Sequence, residues 1–147
     1  MNGGPARLTM SADALPVRDL GPWLSEALAP TGAEATALHG KMELAVHEVC
    51  MNIVDHAYGG GPAKDRGDLH VECWVHRDAV LVRMSDGGSP FQASAHRPTP
   101  GVPQIRGYGL PIVEKLADEV RYERGNGINI CSLRFRRTRP DRSNGHE

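Results

Sequence analysis

Apolar side chains recur at Met42, Ala45, Val46, Val49, Ile53 and Ala57, the three-and-four spacing of a helix laid against a core. The pattern predicts a central helix from about Ala33 to Tyr58, ended by the breaker Gly59-Gly60-Gly61-Pro62. A second, polar stripe runs along it. Glu48, Asn52 and Asp55 stand at i, i+4 and i+7, so two carboxylates flank an amide on one face, neighbouring side chains being about 5–6 Å apart. His56 lies beside them. One face for a core and one for short polar groups suits a wall between a fold and a ligand; taken alone it is more commonly a helix with a solvated side.

Other segments have periods of their own. Arg7 to Ala12 alternates weakly, as a short edge strand does, and Trp23, Leu24, Ala27 and Leu28 make a helical stripe that starts after Pro22 and stops at Pro30 and Gly32. Leu69 to His76 sets Leu69, Val71, Cys73 and Val75 against His70, Glu72, Trp74 and His76, the period of a strand with one buried face. After Arg77-Asp78 the chain returns over Ala79 to Met84, giving an antiparallel hairpin that stops at Ser85-Asp86-Gly87-Gly88. Ser89 to Arg106 holds Pro90, Pro98, Pro100, Gly101 and Pro103 without periodicity, which marks a functional loop or lid. Gly107-Tyr108-Gly109 then opens a helix with Leu110, Ile112, Val113 and Leu116 on its apolar side, ending near Asp118. Val120 to Glu123 and Ile128 to Phe135 form a last hairpin about Arg124-Gly125-Asn126-Gly127, where Asn-Gly favours a tight turn. The fold class is therefore α+β: a two-layer sandwich of a mostly antiparallel mixed sheet with helices on one face.

Composition narrows the function. At 147 residues and 39% hydrophobic content the chain reads as one domain, residues 1–147, with a core from about 17 to 135 and a flexible tail over 136–147. A net charge of −1 leaves no basic footprint for nucleic acid and no polybasic membrane patch; the arginines at 134, 136, 137, 139 and 142 lead into the solvated tail. No apolar run approaches membrane-spanning length. Cys50, Cys73 and Cys131 are odd in number and set within apolar segments, which fits a reduced, cytoplasmic protein. His47-Glu48 lacks a second histidine four positions on, so a zinc site is not expected. Trp23 and Trp74 read as core or interface residues.

Two further motifs carry chemistry. Asp86 at a strand end, followed by Gly88, Pro90 and Phe91, can aim one carboxylate into a pocket while the glycine lets a flat ligand approach the backbone; as a fragment it is also an ordinary turn. Arg106, Gly107, Gly109 and Leu110 stand at a helix start, where bared N–H groups and the helix dipole favour an anion and an arginine can contact phosphate oxygens.

Taken in order, Glu48-x-x-x-Asn52, Asp86-x-Gly88-x-Pro90-Phe91 and Arg106-Gly107-Tyr108-Gly109-Leu110 resemble the N, G1 and G2 boxes of the GHKL ATPase superfamily, which shares the Bergerat nucleotide-binding fold. The resemblance runs from about Val17 to Phe135. Within it, Asn52-x-x-x-His56-x-Tyr58 and the segment Leu110 to Tyr122 are most similar to the anti-sigma-factor serine/threonine kinases of bacterial partner-switching systems. It implies ATP and Mg²⁺ as cofactors, with Asn52 as the metal ligand and Glu48 as general base. Asp86 would accept a hydrogen bond from the adenine amino group and Gly88 would leave room for the base. Gly107, Gly109 and Leu110 would wrap the phosphates beside Arg106, which neutralises developing charge. No role for His56 beyond packing or hydrogen bonding follows, and Asp55 reads as a solvated or structural carboxylate. Two positions depart from the family pattern. Gly127-Ile128-Asn129 stands where Gly-Thr-Thr is usual, putting an adenine contact in question, and Gln92 replaces an aspartate.

The function implied is a kinase that phosphorylates a STAS-type anti-sigma-factor antagonist and sequesters a sigma factor; family members also form homodimers. Two alternatives stay open: a nucleotide-dependent binding module without kinase activity, and a detached histidine-kinase catalytic domain, for which no segment supplies the dimerisation helix with its phosphoacceptor histidine.

Overall fold

The alternating segments build one sheet. The computed structural model describes residues 4–11, 19–57, 67–88 and 109–137, by backbone alone at 33–36, 56–57 and 109–110. Strands β1 (Ala6–Ser11), β2 (Asp68–Val75), β3 (Ala79–Asp86), β4 (Glu119–Gly125) and β5 (Ile128–Arg136) lie in the order β1-β2-β3-β5-β4. Every pairing among the described strands is antiparallel, in line with the mostly antiparallel sheet expected from the sequence. Two hairpins set side by side, β2-β3 and β4-β5, leave no parallel neighbour.

Helices α1 (Leu20–Ala27), α2 (Ala35–Asn52) and α3 (Gly109–Leu116) cover one face of the sheet, with α2 packed between the other two. Leu24, Met42, Val46 and Val49 meet Val71, Val82, Leu133 and Phe135 in a single core. α1 starts at Leu20, ahead of the expected boundary, because Pro22 falls in its first turn, where the missing N–H has no helical partner to lose. Gly21 is buried against α2: a Cβ there would stand 2.6 Å from Glu43 Oε2, and its carbonyl accepts from His39 Nε2 at 2.9 Å.

The central helix departs from the sequence pattern. It is α-helical only to Asn52 and continues as a π-helical turn, Ile53–Ala57, in place of the uninterrupted helix expected from Ala33 to Tyr58. Ile53 and Val54 stay buried through this wider turn, so periodicity of apolar residues could not reveal it. The return strand also runs two residues beyond Met84, since Ser85 and Asp86 still pair with His70 and Leu69 on one side and Ile130 and Asn129 on the other. At the β4-β5 turn both central residues take left-handed backbone, Asn126 at φ 55 and Gly127 at φ 77, the conformation for which Asn-Gly is suited.

The second face of the sheet is polar. Arg7 and Arg83 flank Glu72 at 2.9 and 3.7 Å, and the Arg83 guanidinium lies 4.9 Å from the Trp74 ring centre, so Trp74 belongs to this outer face while Trp23 packs against the core. All three cysteines are buried and free. Among the described residues no helix is long and apolar enough to cross a membrane.

Candidate functional site

Burying a polar side chain is unfavourable unless it is hydrogen-bonded, so the few that are buried deserve an accounting. Among the described residues they are Thr31, Asn52, Asp86 and Asn129. Thr31 closes its own turn, donating from Oγ1 to the Leu28 carbonyl at 2.7 Å. The other three line one cavity of about 170 Å³. Its apolar walls come from Val49 and Ile53 of the central helix and from Met84 and Cys131 of the sheet; Tyr122 and Arg124 complete it from β4. A mostly apolar cleft with a few converging polar groups is the usual form of a small-molecule site.

Strand register explains the polar cluster. Asp86 pairs with Asn129 and Asn129 with Arg124, so the three stand in one row on the helix-covered face at the end of the sheet. Asp86 Oδ2 accepts from the Gly88 backbone N–H at 2.8 Å and from Asn129 Nδ2 at 3.1 Å. Arg124 Nη1 donates to Asn129 Oδ1 at 2.7 Å and to the Gly88 carbonyl at 3.1 Å, and Asn129 Nδ2 reaches the same carbonyl at 3.4 Å. Because a guanidinium only donates and a carboxylate only accepts, the orientation of the Asn129 amide is determined by its neighbours. Burial pushes the Asp86 carboxyl above the ordinary carboxylate range, against the opposing pull of the Gly88 N–H, the Asn129 amide and the Arg124 charge. On the adjacent row Tyr122 stands opposite Cys131, and burial pushes the Cys131 thiol up to about 12.

The residues singled out from the sequence fall into three groups. Asn52, at the last α-helical position of α2, and Asp86, at the end of β3, meet in the cavity, and Gly88 is tied to Asp86. Glu48 stands one turn before Asn52, half-buried, and is not among the residues lining this cavity; Asp55 is half-buried in the π-helical turn. Gly109 and Leu110 begin α3, which packs against α2. Arg106, Gly107 and Tyr108, the lid from Ser89 with Pro90, Phe91 and Gln92, Tyr58 with the Gly59 to Pro62 breaker, and the tail beyond Arg137 lie outside the described residues, as does the side chain of His56.

The sequence pattern places Arg124 only in a turn. The signal for it is present: Val120, Tyr122 and Arg124 alternate in phase, so the side that buries the first two also points the third inward. At Ile128 the expected departure from the family pattern is visible, since that side chain is exposed, while Asn129 takes the place facing Asp86.

Known proteins resemble this chain in sequence and fold. The sequence profile of the histidine kinase-like ATPase domain matches residues 10–135. The serine-protein kinase RsbW of Listeria monocytogenes serotype 4a (strain HCC23) is 28% identical over 103 residues, 64% of this chain and 64% of that protein. RsbW of Bacillus licheniformis is 31% identical over 103 residues, 64% of this chain and 62% of that protein. The matched stretch thus spans a little under two thirds of these relatives. Among solved structures, the RsbU and RsbW domains of Rv1364c from Mycobacterium tuberculosis superpose with a TM-score of 0.68 and 23% identity, over 94% of this chain and 34% of that one. This last likeness speaks for the fold alone.

Proposed function

We propose that this chain, which belongs to the histidine kinase-like ATPase family, is a serine/threonine protein kinase that uses Mg-ATP to phosphorylate a STAS-type anti-sigma-factor antagonist and that sequesters a sigma factor. The observation that carries the reading is the convergence of Asn52, Asp86 and Asn129, three of the four buried polar side chains among the described residues, on one cavity. Two of these, Asn52 and Asp86, are the residues that the resemblance assigns to the N and G1 boxes. Similarity to proteins named serine-protein kinase RsbW favours protein phosphorylation over the histidine-kinase alternative; partner switching in the cytoplasm is the setting this reading implies.

The residues fit the nucleotide and its metal. Asp86 Oδ2 is occupied by two donors, and no bond among the described residues goes to Oδ1, which is left to accept from an adenine amino group. Among the described residues no group of three or more His, Cys, Asp or Glu is placed to hold a metal. A single neutral amide oxygen, that of Asn52, suits Mg²⁺, which keeps phosphate and water oxygens for most of its octahedron. Bound Mg-ATP supplies an electrophilic γ-phosphate. Glu48, one helical turn from Asn52, would accept the proton of the attacking serine or threonine hydroxyl. Gly107, Gly109, Leu110 and Arg106 would close over the phosphates and neutralise charge during transfer.

The test is a single-turnover phosphorylation assay with labelled ATP and the cognate antagonist. Glu48→Ala should slow transfer by a factor of about 10² to 10⁴, the range for a lost general base, with ADP affinity within about threefold of wild type. Undiminished transfer would remove Glu48 from the mechanism, and a wild-type chain that binds no adenine nucleotide would overturn the reading.

A further inference from the structure

Resting on the reading of this cavity as a nucleotide site, we infer that Arg124 is a positioning residue that sets purine selectivity, by holding the Asn129 amide so that Asp86 keeps one free oxygen for a 6-amino purine. The argument starts from donor and acceptor counts. Adenine offers the exocyclic amine at position 6 as a donor, with an acceptor beside it at N1; guanine offers an acceptor at position 6 and, next to it on the same edge, two adjacent donors at N1 and the 2-amino group. A carboxylate with both oxygens available grips those two adjacent donors in a bidentate fashion. Asp86 is buried at the wall of the cavity, and an unmodified acidic pocket of this kind is open to either purine.

Asn129 removes that ambiguity. Its Nδ2 stands 3.1 Å from Asp86 Oδ2, which also receives the Gly88 N–H at 2.8 Å, so the second oxygen is withdrawn from the ligand and only Oδ1 remains. A lone acceptor matches one donor, the 6-amino group, and leaves one of the two guanine donors unpaired in a buried site, the situation in which hydrogen-bonded pockets discriminate most strongly.

Arg124 holds the other end of this amide. Asp86 and the Gly88 carbonyl accept from Nδ2 and so select its orientation, and Arg124 Nη1 engages Asn129 Oδ1 at 2.7 Å, fixing the amide from the opposite side. The same nitrogen donates to the Gly88 carbonyl at 3.1 Å, so one guanidinium anchors both the amide that occupies Oδ2 and the loop residue whose N–H occupies it too. A threonine, usual in the family at this part of the strand, has a hydroxyl that rotates between donating and accepting; the Asn129 and Arg124 pair is a fixed version of that contact. Arg124 stands at the pocket rim with its side chain exposed, so its replacement leaves the core intact.

The experiment is calorimetric titration of the full chain with ADP and with GDP, in wild type, Arg124→Ala and Arg124→Lys, alongside thermal melts without nucleotide. The expected result is a clear preference of wild type for ADP, a fall of about tenfold or more in the ADP-to-GDP affinity ratio for Arg124→Ala, and partial recovery for Arg124→Lys, which keeps one donor. A purely electrostatic role would weaken both nucleotides together, and a merely structural one would lower the melting temperature, each leaving the ratio unchanged; either result overturns the inference. Should Arg124→Ala aggregate, the intermediate ratio expected of Arg124→Lys still decides. Failure of wild type to bind either nucleotide would overturn the nucleotide reading itself, whereas ADP binding with an unchanged ratio across the variants overturns only the role of Arg124.

Discussion

Replacing Asp86 by asparagine inverts one hydrogen-bonding group at the wall of the cavity and changes almost nothing in shape. The carboxyl is 3% exposed and accepts through Oδ2 from Gly88 and Asn129. In Asp86→Asn the amide oxygen keeps those two donors, which turns the NH₂ toward the ligand, donor facing donor. Losing a hydrogen bond to a charged acceptor removes about 1.5–3 kcal/mol, so ADP should bind about 10- to 150-fold more weakly. Stability should move the other way. Burial raises the folded-state value of this carboxyl above the ordinary 3.8, so the fold holds the proton more tightly than the unfolded chain does. That contribution is fully present below the unfolded value and is lost as pH rises through the folded one, which makes the buried charge unfavourable at pH 7. The uncharged variant should therefore melt at or above wild type at pH 7, with the gap closing as the pH is lowered toward 4. Calorimetric titration with ADP and ligand-free melts across that range read both effects. ADP affinity within about threefold of wild type would refute the placement of Asp86 against the base. A melting temperature lowered at pH 7 by more than about 3 °C, on the order of 1 kcal/mol for this length, would refute burial as the dominant influence on its charge.

Two other expectations test the surrounding structure. Phe135 is fully buried on β5, and Phe135→Ala should lower the unfolding free energy by about 3–5 kcal/mol in urea titration; a loss below about 1 kcal/mol would mean that β5 does not close the core as described. Burial raises the Cys73 and Cys131 thiols to about 12 and the Cys50 thiol further, so a thiol reagent at pH 8 should label the folded chain slowly and all three cysteines in denaturant, and fast labelling of any one in the native state would contradict its burial.

Much of this molecule is written in short-range pattern. Alternation in Leu69 to His76 and the Asn-Gly turn carry the two hairpins, because a period of two with one apolar phase admits one buried face and a turn with positive φ at both centres selects few residues. The pairing of Asn52 with Asp86 was legible only through the family motifs, since no local rule brings α2 against the end of β3. The π-helical turn after Asn52 was not legible at all. It leaves the apolar spacing intact, so the pattern of buried positions gives no sign of it.

The same sidedness decides the departure at Gly127-Ile128-Asn129. Read as a string, it loses a polar residue at 128 and leaves the contact with the base in question. On a strand, successive residues face opposite ways, so only one of the two positions can meet Asp86. Ile128 turns outward and Asn129 turns in, to a place where its amide is held between a carboxylate and a guanidinium. Ile128, the departure from the motif, is thus not among the residues that line the pocket, whereas its neighbour Asn129 is. Asn129 acts in the pocket only together with Arg124, five residues back across the turn, and that pairing is a property of the β4-β5 register that reading along the chain does not bring together.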